Sequence, residues 1–109
     1  MLELNVQQAY FDAILKGSKN IEGRLAKEKY LNLKKGDKIR FFNNEATQST
    51  IKTVTALHLY PSFEAAFKQL SFNLAVPGAK DTKEALDIYE QFYSKSMQLK
   101  DGVVFIEIT

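Results

Sequence analysis

The sequence predicts a small α+β barrel with flanking helices. Strand-like segments are few and run in the order strand, helix, three strands, two helices, strand. They do not alternate with helices as a doubly wound parallel sheet requires. One of them, Ser49 to Tyr60, is long and rich in Thr, Val and Ile, as a bent barrel strand would be. A chain of 109 residues is the size of one domain, and residues 1–109 read as a single unit.

LELNV opens the chain with Leu2, Leu4 and Val6 on one face, the two-residue period of a strand. QQAYFDAILKG then changes period: Tyr10, Phe11, Ile14 and Leu15 form an apolar stripe at helical spacing, and Gly17 suits the C-terminal stop. Ser18 and Lys19 make the turn. In NIEGRL, Ile21, Gly23 and Leu25 share one face, and Asn20, Glu22 and Arg24 the other. AKEKYLNLKKGDK is polar and lysine-rich, a loop with one short helical turn, closed by Gly36-Asp37.

KIRFFN is the next strand, NNEA a hairpin connection, and Ser49 to Tyr60 its partner, stopped by Pro61. PSFEAAFKQL is a helix capped by Ser62, with Phe63, Ala66, Phe67 and Leu70 buried. SFNLAVPGAK shows no period. DTKEALDIYEQFYSK, residues 81–95, is a second helix with Asp81 or Thr82 as N-cap, Glu84 placed for a capping box and Leu86, Tyr89, Phe92 and Tyr93 along one side. After Asp101-Gly102, VVFIEI closes the chain as a strand apolar enough to be central and covered on both faces.

Composition excludes several chemistries. There is no cysteine, hence no disulfide, thiolate nucleophile or cysteine-ligated zinc. A single histidine, His58, argues against a protein-only metal site, and no cofactor signature such as a P-loop or dinucleotide glycine pattern occurs. Fifteen Lys and Arg against thirteen Asp and Glu leave a charge of +2, too little to announce a nucleic-acid binder by itself. No apolar run approaches the ~20 residues of a membrane span, and the N-terminus lacks the pattern of a secretory signal, so a cytoplasmic location without membrane attachment is expected.

The stretch GSKNIEGR carries the chemistry. Glu22 and Arg24, two apart on a strand, point the same way and either pair in solvent or share a ligand. An exposed pair contributes only ~0–1 kcal/mol, so stability is a weak reason for it. At a cleft, Arg24 would fork onto a phosphate or base edge and Glu22 would accept from a base amino group. Lys19, in the turn, reaches either side on its long stem. In a dry cleft near Arg24 its pKa would fall, fitting it for proton transfer. Arg40 is a second candidate for a phosphate. Tyr89, Phe92 and Tyr93 are either core or a stacking surface for a base.

A helix followed by G-x-K-x-x-E-x-R (Gly17, Lys19, Glu22, Arg24), a polar loop and LKKGDKIRF resembles the ASCH family, which has a PUA-like β-barrel. The Tyr60-Pro61 strand end, the FEAAF and IYEQFY helices and the GVVFIEI strand extend the resemblance over nearly the whole chain. It implies a cleft lined by the motif residues that binds RNA or a nucleotide-like small ligand. Some relatives are amidohydrolases on N4-acetylcytidine, with a threonine nucleophile where this chain has Glu22, beside a lysine matching Lys19. A carboxylate does not replace a hydroxyl in that acyl transfer, and Asp81 and Glu84 are the nearby candidates for the subgroup's second acid.

Three functions follow as expectations. The first is an RNA- or modified-nucleoside-binding protein using Gly17, Lys19, Glu22, Arg24, Arg40, Tyr89 and Tyr93. The second is a hydrolase of a nucleoside amide or RNA phosphodiester, with Lys19 transferring the proton, Glu22 as base and Arg24 stabilising charge. The third is a protein-interaction module, for which the sequence names no partner.

Overall fold

The computed structural model describes residues 1–109. Five strands form one sheet: β1 (Leu2–Val6), β2 (Ile21–Leu25), β3 (Lys38–Asn43), β4 (Ser49–Tyr60) and β5 (Val103–Ile108), in the spatial order β1-β3-β4-β5-β2. β1 runs parallel to β3, and the other neighbours are antiparallel. β4 serves both halves of the sheet. Its first residues pair with β3, its last with β5, and a register shift between Val54 and Ala56 lets it bend. The sheet curls into a half-barrel whose edges, β1 and β2, face each other without pairing as strands. The expected barrel is therefore open along one seam.

The helices are α1 (Gln8–Lys16), α2 (Glu28–Leu31), α3 (Phe63–Ala66), α4 (Phe72–Ala75), α5 (Thr82–Phe92) and α6 (Lys95–Asp101). Two apolar clusters lie on opposite faces of the sheet. Inside the curl, Leu4, Val6, Ile39, Phe41, Val104 and Ile106 pack under Phe11 and Ile14 of α1. Outside, Ile21, Leu25, Val103 and Phe105 pack against Phe63 of α3, Phe67 just after it, and Ala85 and Tyr89 of α5. β5 contributes alternate residues to both, which is why Val103–Ile106 reads as a continuous apolar run.

Three expectations need correction. The helix expected over 62–70 is helical only over Phe63–Ala66, and its apolar stripe continues through hydrogen-bonded turns to Leu70. The helix expected over 81–95 stops at Phe92, and Ser94 caps a new helix from Lys95 to Asp101 that the apolar pattern does not signal. Phe72 to Ala75, in a stretch without a period, is also helical. α6 hides from a periodicity search because it buries glutamine: Gln98 is enclosed while Met97 and Leu99 are exposed. Gln98 Oε1 accepts from the Phe63 amide at 3.0 Å, and its Nε2 donates to Glu90 and the Tyr93 carbonyl. The Ser94 cap, whose Oγ accepts from Met97 N–H, was the available signal.

Candidate functional site

The seam between β1 and β2 holds the site. α1 ends at Gly17, whose φ of 85° is the left-handed value glycine tolerates. Ser18 N–H and Lys19 N–H both return to the Ala13 carbonyl, so the chain turns tightly and sends Lys19 inward. Gly17 therefore positions the site without lining it. β2 follows with the expected alternation: Ile21 and Leu25 pack into the outer cluster, and Glu22 and Arg24 share the opposite face.

Gly23 needs to be glycine. A β-carbon there would lie 2.6 Å from Phe105 Cε1 and 2.9 Å from Tyr89 Cε1. Its N–H is shared between Glu22 Oε1 at 3.1 Å and the Tyr89 hydroxyl at 3.3 Å.

Lys19, Glu22 and Arg24 form a buried ionic triad. Their side chains are 2%, 8% and 19% exposed. Glu22 Oε1 forms an ion pair with Lys19 Nζ at 3.3 Å, and Oε2 accepts from Arg24 Nη2 at 3.2 Å. Lys19 Nζ also donates to the Ile21 carbonyl at 2.8 Å and to the Ala75 carbonyl of α4 at 2.6 Å. Two of its protons thus have backbone acceptors and its charge faces the Glu22 carboxylate, an arrangement that suits the ammonium. Arg24 Nη2 also reaches across the seam to the Asn5 carbonyl of β1, at 3.3 Å. The Tyr10 ring stands 5.7 Å from Lys19 Nζ.

In all three groups burial opposes the charged form and pairing favours it. Burial pushes the Glu22 carboxyl up, but Lys19 and Arg24 outweigh it and hold the group below its ordinary value. Burial lowers the Lys19 ammonium, and the attraction of Glu22 only partly offsets this. Arg24, opposed by burial and favoured by Glu22, is held firmly charged. Two cations against one anion leave the triad with one net positive charge.

Beside it opens a cavity of about 190 Å³, walled by the triad, Tyr10, Tyr89 and Tyr93. Its outer lip combines the exposed amides Asn5, Gln7 and Asn44 with Ile88 and Phe92 of α5. This is smaller than the ~300–1,000 Å³ of drug-sized sites and suits one ring-sized polar group.

Of the residues singled out from the sequence, the structure brings Lys19, Glu22, Arg24, Tyr89 and Tyr93 together and leaves Gly17 and Arg40 apart. Arg40 lies on β3 and donates to Ser49 Oγ at 3.3 Å. Tyr89 lines the cavity with its polar edge, but its ring is core, stacked on Phe63 at 4.6 Å between centroids. Asp81 and Glu84 lie outside the cavity: Asp81 Oδ1 caps α5 by accepting from Glu84 N–H, and Glu84 Oε1 accepts from Lys80 N–H. Sequence reading missed Tyr10, the three lip amides and the Ala75 carbonyl. The last is a backbone atom and carries no residue signal. His58 pairs with Glu107 at 3.0 Å, away from the cavity. No helix is long and apolar enough to cross a membrane.

Comparison with known proteins agrees with this architecture. The crystal structure of hypothetical protein PH0355 is 34% identical, with a TM-score of 0.86 over 98% of this chain and 95% of that one. The solution structure of protein PF0455 from Pyrococcus furiosus is 30% identical, with a TM-score of 0.74 over 98% and 94%. The crystal structure of ASCH from Zymomonas mobilis shares the fold at 10% identity, with a TM-score of 0.70 over 98% of this chain and 65% of that one. No curated protein matches the sequence significantly. The ASCH domain model matches residues 4–109, and with that match over almost its entire length the chain belongs to the ASCH domain family.

Proposed function

We propose that the protein binds RNA or a modified nucleoside, taking the base into the cavity at the β1–β2 seam. The observation that carries this reading is a buried ionic triad of net positive charge opening onto an aromatic-walled space. A base offers flat faces to tyrosine rings and carbonyl oxygens to a cation. Arg24 is the recognition group: its hydrogen bonds to Glu22 and the Asn5 carbonyl both run through Nη2, and it lines the cavity beside Tyr93. Glu22 holds Arg24 in place and accepts from a base amino group. Lys19 fixes Glu22 and ties β2 to α4.

Binding is favoured over catalysis by the same geometry. A carboxylate held below its ordinary value is a weak base near neutrality, and an ammonium tied to two backbone carbonyls and paired with that carboxylate is placed to hold the fold. Hydrolysis of a nucleoside amide such as N4-acetylcytidine, or of an RNA phosphodiester, is the second reading. It is supported by the lowered Lys19 pKa beside a carboxylate. RNA binding also agrees with what the family resemblance implies, and we propose a cytoplasmic setting for it.

Thermal melting in the presence of nucleosides and short RNAs tests the reading, because a ligand of the native state raises the midpoint. A saturable rise that Arg24→Ala reduces supports it, and no rise with any of them overturns it. Turnover of N4-acetylcytidine or RNA that disappears in Lys19→Ala would establish the second reading instead.

A further inference from the structure

The three aromatic residues of α5 and its C-terminus differ in exposure. Tyr89 is packed in the outer cluster, Tyr93 is half-buried, and Phe92 is 56% exposed while lining the cavity lip. An apolar ring left in water at a cavity mouth gains by stacking on a flat partner. Ile88, one turn earlier, continues the apolar side of the lip, and the amides of Asn5, Gln7 and Asn44 face it with free donors and acceptors. The cavity itself, about 190 Å³, has room for one ring-sized group, so the lip lies where anything attached to that group must emerge.

We infer that the occupant is one nucleotide of a single-stranded RNA, whose neighbouring base stacks on Phe92 at the mouth. This rests on the nucleobase-binding reading above and adds to it that the ligand is a strand, not a free nucleoside. The amide lip reads the edge of the neighbouring base or its sugar hydroxyl, since side-chain amides offer both a donor and an acceptor.

The test compares cytidine, uridine, adenosine and guanosine and their 5′-monophosphates with the matching homopolymeric hexaribonucleotides and hexadeoxyribonucleotides, by calorimetry. A hexaribonucleotide binds at least ~5-fold tighter than its mononucleotide, since one stacked base contributes ~1–3 kcal/mol. Phe92→Ala brings that ratio down by roughly 5- to 150-fold, the same contribution expressed as affinity. Phe92→Tyr restores it. A 2-aminopurine next to the bound base is quenched by the wild type and not by Phe92→Ala. Unchanged melting of Phe92→Ala without ligand shows that the exposed ring is not structural.

Nucleosides binding as tightly as hexamers overturns the strand inference and leaves the nucleobase reading standing. So does a hexamer preference that Phe92→Ala does not alter. Tighter binding of the deoxy hexamer overturns the choice of RNA. Absence of binding by every probe overturns the nucleobase reading as well.

Discussion

Lys19 Nζ lies 3.3 Å from Glu22 Oε1, yet its shorter bonds run to two backbone carbonyls, those of Ile21 and Ala75. The pair is therefore part of a clamp that joins the start of β2 to α4 and holds the carboxylate charged out of water. Its consequences are measurable in stability, pH dependence and ligand binding.

Replacing Glu22 by glutamine leaves Lys19 and Arg24 buried without a counter-ion. Breaking one partner of a buried pair costs ~3–5 kcal/mol. Urea unfolding should show Glu22→Gln destabilised by about that amount. A loss under ~1 kcal/mol, the range of solvent-exposed pairs, would show that the triad is not sealed as described.

The pH dependence follows from the direction of the Glu22 shift. Its carboxyl ionises more readily folded than unfolded, so its stabilisation is present in full above the ordinary carboxylate value of 4.5 and is lost as pH falls through the lower folded value. Glu107 is also lowered, by its hydrogen bonds to His58 and Thr55, and adds to the same acid loss. Melting of the wild type should fall steeply below that pH, and Glu22→Gln should fall less, keeping only the remainder. Parallel curves for the two proteins would contradict the charged state assigned to Glu22.

Gly23→Ala tests the close approach of Phe105 and Tyr89. The added methyl would press on two rings held in the core, and overpacking of this kind costs ~1–3 kcal/mol. The expected result is a lower melting midpoint together with weaker ligand binding, because Tyr89 also walls the cavity. A variant as stable as the wild type would mean the rings have room to move.

Arg24→Ala should weaken binding of the preferred nucleoside or RNA by about 10- to 100-fold, the loss of a charge-assisted hydrogen bond of ~1.5–3 kcal/mol. Arg24→Lys should recover little, because an ammonium lacks the planar fork. Calorimetry at two salt concentrations reads both effects, with affinity for RNA falling as salt rises. Equal affinity in wild type and Arg24→Ala would remove Arg24 from the site.

Local structure was largely legible. The two-residue alternation of Leu2, Leu4 and Val6 gave β1, and Phe11 and Ile14 at helical spacing gave α1. Asp81 marked the start of α5, and the apolar run after Gly102 gave a central strand. α6 was not legible, because it inverts the usual pattern by burying Gln98 and exposing Leu99. Within α5, spacing placed Phe92 in line with Tyr89, although Tyr89 reaches the core and Phe92 remains in water.

At the site, the alternation of Glu22 and Arg24 around Gly23 put both on one face of β2, and chain order put Lys19 in the turn before them. That much the residue pattern determines, because strand pleat and turn geometry depend only on near neighbours. Whether the charges meet water or each other was decided by the fold. Asn5, nineteen positions before Arg24, and Ala75, fifty-six after Lys19, supply the carbonyls that complete the site. They arrive there because β1 and β2 close on an unpaired seam and α4 docks beside it. A periodicity records which side of its own element a residue faces; what stands opposite is fixed only when distant segments pack.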